Sequence, residues 1–83
     1  GAPDFVVEII SVGTQDKDET LKKALYGKHG VVEYWIVHPT EEYVQVHHNE
    51  NHQMQLTQTA CRGDTIRSKA IKGLELAVDK IFA

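Results

Sequence analysis

Apolar residues crowd the start of the chain, where Phe5, Val6, Val7, Ile9 and Ile10 are interrupted only by Glu8. A run without clean polar/apolar alternation is the pattern of a strand covered on both faces, as in parallel sheets. Strand parity sets Asp4, Val6, Glu8 and Ile10 on one face and Phe5, Val7 and Ile9 on the other. Val12-Gly13-Thr14-Gln15 reads as a loop. Asp16, with Glu19 three residues on, has the spacing of a capping box and opens a basic helix over residues 16–29. Leu21, Ala24 and Leu25 form its apolar stripe, and Lys17, Lys22, Lys23 and Lys28 lie largely off it. Gly30 stands where a C′ glycine belongs, whereas Gly27, one turn earlier, weakens the helix or ends it sooner.

The pattern then returns to strand. Residues 33–37, Glu33-Tyr34-Trp35-Ile36-Val37, predict a second buried strand, parallel to the first in a βαβ unit. His38-Pro39-Thr40-Glu41-Glu42 reads as a turn. Residues 43–48 alternate with Val44 and Val46 inward and pair antiparallel with the preceding strand. After a turn at Asn49-Glu50-Asn51, residues 53–59 return with Met54 and Leu56 on one face. Arg62-Gly63-Asp64 is a further turn signal. Short strands are expected at 65–68 and 74–78, followed by a helical turn at 79–82 whose Ile81 and Phe82 plug the core. The expected fold class is therefore α/β (α+β): a βαβ unit followed by antiparallel strands, a mixed sheet packed on one main helix.

Eighty-three residues make at most a single domain, 1–83. Hydrophobic residues at 41% and charged residues at 25% are the shares of an ordinary globular chain. No apolar run approaches the roughly 18 residues of a membrane-spanning helix. Cys61 is the only cysteine, which excludes an internal disulfide and a cysteine zinc knuckle, and a reducing, cytoplasmic setting fits. A net charge of −3 argues against nucleic-acid binding by bulk charge, although nucleases carry carboxylates for metal. The chain has no initiator Met and starts just before its most apolar strand, so we expect it to be the C-terminal part of a larger domain.

Glu8 is the first candidate for chemistry, because an ionised carboxylate in a buried strand needs a metal or a cation as partner. The plain alternative is a carboxylate that faces solvent. Asp4 shares its face, but four residues at ~3.3 Å each is ~13 Å, too far for both to hold one ion. A lysine on the following helix could steady a phosphate or an attacking water at the sheet's carboxyl edge. Periodicity does not separate Lys22 from Lys23. His47, His48 and His52 surround a hairpin turn, yet His47 and His48 point to opposite faces, and we expect solvent-exposed hairpin residues rather than a zinc or copper site. Tyr34 and Trp35 are expected in the core, and Cys61 has no base or second cysteine nearby.

Taken together, several segments resemble the putative restriction-endonuclease family of the PD-(D/E)XK nuclease superfamily. They are residues 2–11; Asp18, Lys22 and Tyr26; residues 30–39, with Glu33-Tyr34-Trp35; Gly63-Asp64-Thr65-Ile66-Arg67-Ser68; Gly73-Leu74-Glu75-Leu76; and Ile81-Phe82. The likeness corresponds to the C-terminal half of that family. It implies a Mg²⁺-dependent endonuclease core acting on phosphodiester bonds in DNA, with Glu8 on the metal. The lysine commonly found two residues after this glutamate is here Ile10, and the resemblance moves its role to Lys22, supported by Asp18 and Tyr26. The superfamily's first metal-binding aspartate lies on an earlier strand, so the 83 residues are expected to be catalytically incomplete. His38 departs from the family's aspartate at that position. The other expectation, of a different class, is a non-enzymatic dimerising or regulatory module, a homo-oligomer formed through an exposed sheet edge.

Overall fold

Strand β1 (Phe5–Ile9), helix α1 (Gln15–Lys28) and strand β2 (Glu33–His38) form the expected βαβ unit in the computed structural model, which describes residues 3–10 and 15–83, with the helix's side chains described from Glu19. β1 and β2 are parallel, Phe5 opposite Glu33 and Glu8 opposite Ile36. α1 closes with a Schellman motif. The Val31 N–H donates to the Tyr26 carbonyl at 3.0 Å and the Gly30 N–H to the Gly27 carbonyl at 3.2 Å, with Gly30 at φ +85°. Glycine adopts that left-handed conformation without a Cβ penalty.

β2 continues antiparallel into β3 (Tyr43–Glu50), and β3 into β4 (Gln53–Cys61), giving a four-stranded mixed sheet of order β1-β2-β3-β4. The β3–β4 turn falls at Asn51-His52, two residues later than the sequence suggests, and both residues have positive φ, +52° and +66°. A bulge at Val46/His47 leaves Thr57 as the extra residue, its hydroxyl donating to the Val46 carbonyl at 3.2 Å. A second sheet pairs β5 (Thr65–Arg67) with β6 (Glu75–Ala77), and α2 (Val78–Ile81) follows directly. The expected mixed α+β architecture is observed.

The core lies on one face of the sheet. Trp35, Val37, Val44, Val46 and Ala60 meet Ile66 and Val78, with Phe5, Leu76, Ile81 and Phe82 packed around them. The N–H groups and side chain of the 68–70 segment converge on a fully buried carboxylate, Glu33. Its Oε1 accepts from the Lys69 N–H at 2.6 Å, the Ala70 N–H at 2.8 Å and the Ser68 hydroxyl at 3.2 Å, and its Oε2 accepts from the Trp35 indole at 2.5 Å. His48 Nε2 stands 3.5 Å away, close enough for an ion pair but without a hydrogen bond. Glu33 therefore ties a connection more than thirty residues downstream to the start of β2.

Several expectations change here. β1 is not covered on both faces: Val7 is 47% and Ile9 71% exposed, because among the described residues β1 is an edge strand. The leucine stripe of α1 is turned away from the sheet, Leu21 63% and Leu25 52% exposed. What α1 presents instead is Lys22, Tyr26 and Gly27. Gly27 allows close approach, since a Cβ there would lie 2.9 Å from the His52 carbonyl oxygen and 3.1 Å from the Met54 nitrogen. His38 is the last residue of β2 and buried rather than a turn residue. The expected Asp16 cap lies outside the described side chains.

Candidate active site

The face of the sheet opposite the core carries Glu8, Tyr34 and His47, and α1 crosses it. On the helix, residues four apart share a face, so Lys22 and Tyr26 descend side by side. Both reach Glu8. Lys22 Nζ lies 3.2 Å from Glu8 Oε2, and the Tyr26 hydroxyl donates to Glu8 Oε1 at 3.1 Å. The Lys22 and Glu8 side chains remain 41% and 27% exposed, so this ion pair is open to a ligand arriving from solvent. The polar character of this face explains which side of α1 it accepts: a carboxylate and a phenol select an ammonium and a phenol, not two leucines.

Burial pushes the Tyr26 phenol above its ordinary value, with the hydrogen bond to Glu8 and the charge of Glu8 acting the same way, so Tyr26 remains a proton donor to the carboxylate. Tyr34 stacks edge-on against Tyr26, ring centroids 5.0 Å apart. Its hydroxyl is buried without a hydrogen-bond partner among the described residues. Burial, then the charge of Glu8, drives its pKa well upward. On the far side of Tyr34, His47 is buried, donates its Nδ1–H to the Tyr34 carbonyl at 3.2 Å, and has its pKa lowered by burial.

The structure thus brings Glu8, Lys22 and Tyr26 together, while Lys23 points elsewhere, into a shallow hollow beside His52 and Met54. The Asp18 side chain lies outside the described residues. The Asp4 side chain is exposed, and its carbonyl takes up the Val32 and Glu33 N–H groups at 3.0 Å. Of the three hairpin histidines only His52 is exposed at the turn as expected; His47 is 2% exposed, and His48 lies on the opposite face beside Glu33. His38 stacks on Tyr43 at 4.1 Å, and its Nε2 is 2.8 Å from Gln45 Oε1, on the same face as Glu8 by strand parity. The exposed Cys61 thiol is raised by its hydrogen bond to Asp64.

A family model, Uma2, described as putative restriction endonuclease, matches residues 1–79. The chain belongs to this family. No curated protein matches it. Within this Uma2 chain, Glu8, Lys22, Tyr26 and the Glu33-Tyr34-Trp35 strand all fall inside the matched span. The magnesium ion expected for such a nuclease needs about six oxygen ligands, of which one or two are commonly protein carboxylates. Glu8 is a single carboxylate, with both oxygens already engaged. Among the described residues no three His, Cys, Asp or Glu side chains form a group that could hold a metal ion. The described residues do not by themselves fit a resident Mg²⁺.

Proposed function

We propose that this chain contributes the Glu8-bearing part of a metal-dependent endonuclease that hydrolyses phosphodiester bonds in DNA, and that it is catalytically incomplete by itself. The observation that carries the reading is the Glu8–Lys22–Tyr26 constellation in a chain of the restriction-endonuclease family. Glu8 is offered as one ligand of a divalent ion whose other ligands lie outside the described residues, and no step is assigned to the ion here. Lys22 places a positive charge at a solvent-open edge, where it can take up a phosphate oxygen and offset charge that develops on it. Tyr26 holds Glu8 in one orientation and keeps its second oxygen hydrogen-bonded. Asp18, four residues before Lys22, is offered as its support on the helix.

Magnesium-dependent nicking of plasmid and single-stranded DNA, measured on this chain and on the chain extended by whatever its gene encodes upstream of Gly1, tests the reading. Activity only in the extended form is expected. An inactive extended form ends the nuclease reading, and efficient cleavage by the 83 residues ends the claim of incompleteness. A second reading, a non-enzymatic dimerising module, is supported by the position of β1 at the edge of the sheet among the described residues and by the exposed Val7 and Ile9.

A further inference from the structure

On the β4 side of α1 lies a hollow of about 380 Å³, lined by Lys23, Ala24, His52 and the start of β4. Three hydrogen-bond donors converge on it. Lys23 brings an ammonium, and no carboxylate among the described residues stands within ion-pair distance of it. The main chain brings the second donor. The Asn49 N–H donates to the Val32 carbonyl at 2.9 Å, so the backbone groups of Asn49 point to β2, and by alternation those of His48 and Glu50 point to β4. Glu50 opposite Gln53 and His48 opposite Gln55 are then the hydrogen-bonded pairs, and Met54, opposite Asn49, turns its N–H away from β3. Gly27, where a Cβ would stand 3.1 Å from that nitrogen, has no side chain to cover it. The third donor is the exposed His52 imidazole. His52 is held at φ +66°, a left-handed conformation that glycine adopts more easily, and backbone strain of this kind gathers where a side chain has work to do. Neither Glu19, one helical turn before Lys23, nor Glu50 lines the hollow.

We propose that this hollow binds a phosphate group. An ammonium, an imidazole N–H and a main-chain N–H, with no carboxylate in the lining, form a donor set that suits an oxyanion and offers a divalent cation no acidic ligand. The Lys23 ammonium acts as a mobile point charge, and the Met54 N–H is a donor already fixed by the strand. The volume is ample for one tetrahedral group. Phosphate reaches the hollow either as the free ion or as one phosphodiester of a nucleic-acid strand, and the two present the same oxygens. Lys22 and Lys23 leave the helix about 100° apart, so the hollow is separate from the Glu8 site. Its binding of phosphate stands whether or not the chain cleaves DNA.

Amide NMR on the intact chain, in EDTA and at constant ionic strength, tests this with two probes: inorganic phosphate, and an oligothymidylate that lacks terminal phosphates. The Lys23, His52 and Met54 amides should shift saturably with at least one of them, and sodium chloride should not reproduce the shifts. A response to the oligothymidylate assigns a nucleic-acid strand, and a response to inorganic phosphate alone assigns the free ion. Lys23→Gln should weaken binding about tenfold, the loss of one hydrogen bond to a charged group. Lys28→Gln removes the same charge from the exposed last turn of α1 and should leave binding within about twofold, because salt screens a charge at that distance. His52→Gly should weaken binding while the fold is kept. No saturable shift at the hollow with either probe overturns the proposal. Equal weakening by Lys23→Gln and Lys28→Gln also overturns it, since bulk charge alone would then account for the binding.

Discussion

Replacing Glu33 by Gln tests whether one buried carboxylate holds the second sheet's connection to the first. The substitution keeps shape and volume but exchanges one acceptor oxygen for a donor amide. If Oε1 keeps its three donors at residues 68–70, the new NH₂ faces the Trp35 indole N–H, and two buried donors oppose one another. An unsatisfied buried donor costs about 1–3 kcal/mol. The three remaining bonds lose their charge assistance, each falling from about 1.5–3 to about 0.5–1.5 kcal/mol. Relaxation and partial rehydration recover some of this, so a loss of about 3–5 kcal/mol is expected. Domains of this size are stable by roughly 5–10 kcal/mol, which makes the loss a large share of the total. Trp35 is the only tryptophan and donates directly to Glu33, so its fluorescence reports both global unfolding and the local contact. Urea unfolding followed by that fluorescence should show the midpoint falling by about 1.5–5 M, given a slope of about 1–2 kcal/mol per M. A midpoint within experimental error of the wild type would refute the claim that Glu33 is the anchor of this connection.

Other outcomes follow from single positions. Gly27→Ala should lower stability by about 1–3 kcal/mol despite alanine's better helix propensity, because the new Cβ meets the His52 and Met54 backbone, which cannot rotate away; urea unfolding would show it. His52→Gly should raise stability by about 1 kcal/mol, since His52 occupies φ +66° in the β3–β4 turn, and an unchanged melting temperature would contradict it. His47 has a pKa below its ordinary 6.5 because of burial, so the unfolded chain takes up its proton first as pH falls. Its contribution is therefore fully present above about pH 6.5 and is lost as pH falls toward the lower folded value. His47→Gln should flatten that part of a stability–pH profile, and an unchanged acid limb would show that another group controls it.

Much of the fold is legible in the residues because local signals and tertiary contacts agree. The βαβ order, Gly30 as the helix C′ residue, inward Val44 and Val46 and the Gly63 turn each need only near neighbours to be inferred. The errors lie where a distant surface decides. Counting apolar residues assigns Leu21 and Leu25 to the buried side of α1. The sheet beneath is polar there, with Glu8, Tyr34 and His47, and it takes Lys22 and Tyr26 instead. Glu33 falls in the buried strand expected over residues 33–37, but only its partners 35 to 37 residues away show what makes it a buried anchor. His38 and His47 look like loop and hairpin polar residues until sheet pairing buries them. Of the candidate site, the nearness of Glu8, Lys22 and Tyr26 follows from resemblance and from i, i+4 spacing. The choice of Lys22 over Lys23 does not follow from periodicity, which shows only that they share a helix and not which one leans over β1.

The central claim is that Glu8, held by Lys22 and Tyr26, belongs to a phosphodiester-cleaving site. Its most direct test is the magnesium-dependent DNA cleavage rate of the chain extended upstream of Gly1, comparing wild type with Glu8→Gln. The side chain is 27% exposed, so the substitution should leave the fold intact by circular dichroism. The account predicts a rate lower by about 10²–10³, on the order of losing one charged group that acts on the transition state. A Glu8→Gln protein that is folded and cleaves at the wild-type rate would contradict it.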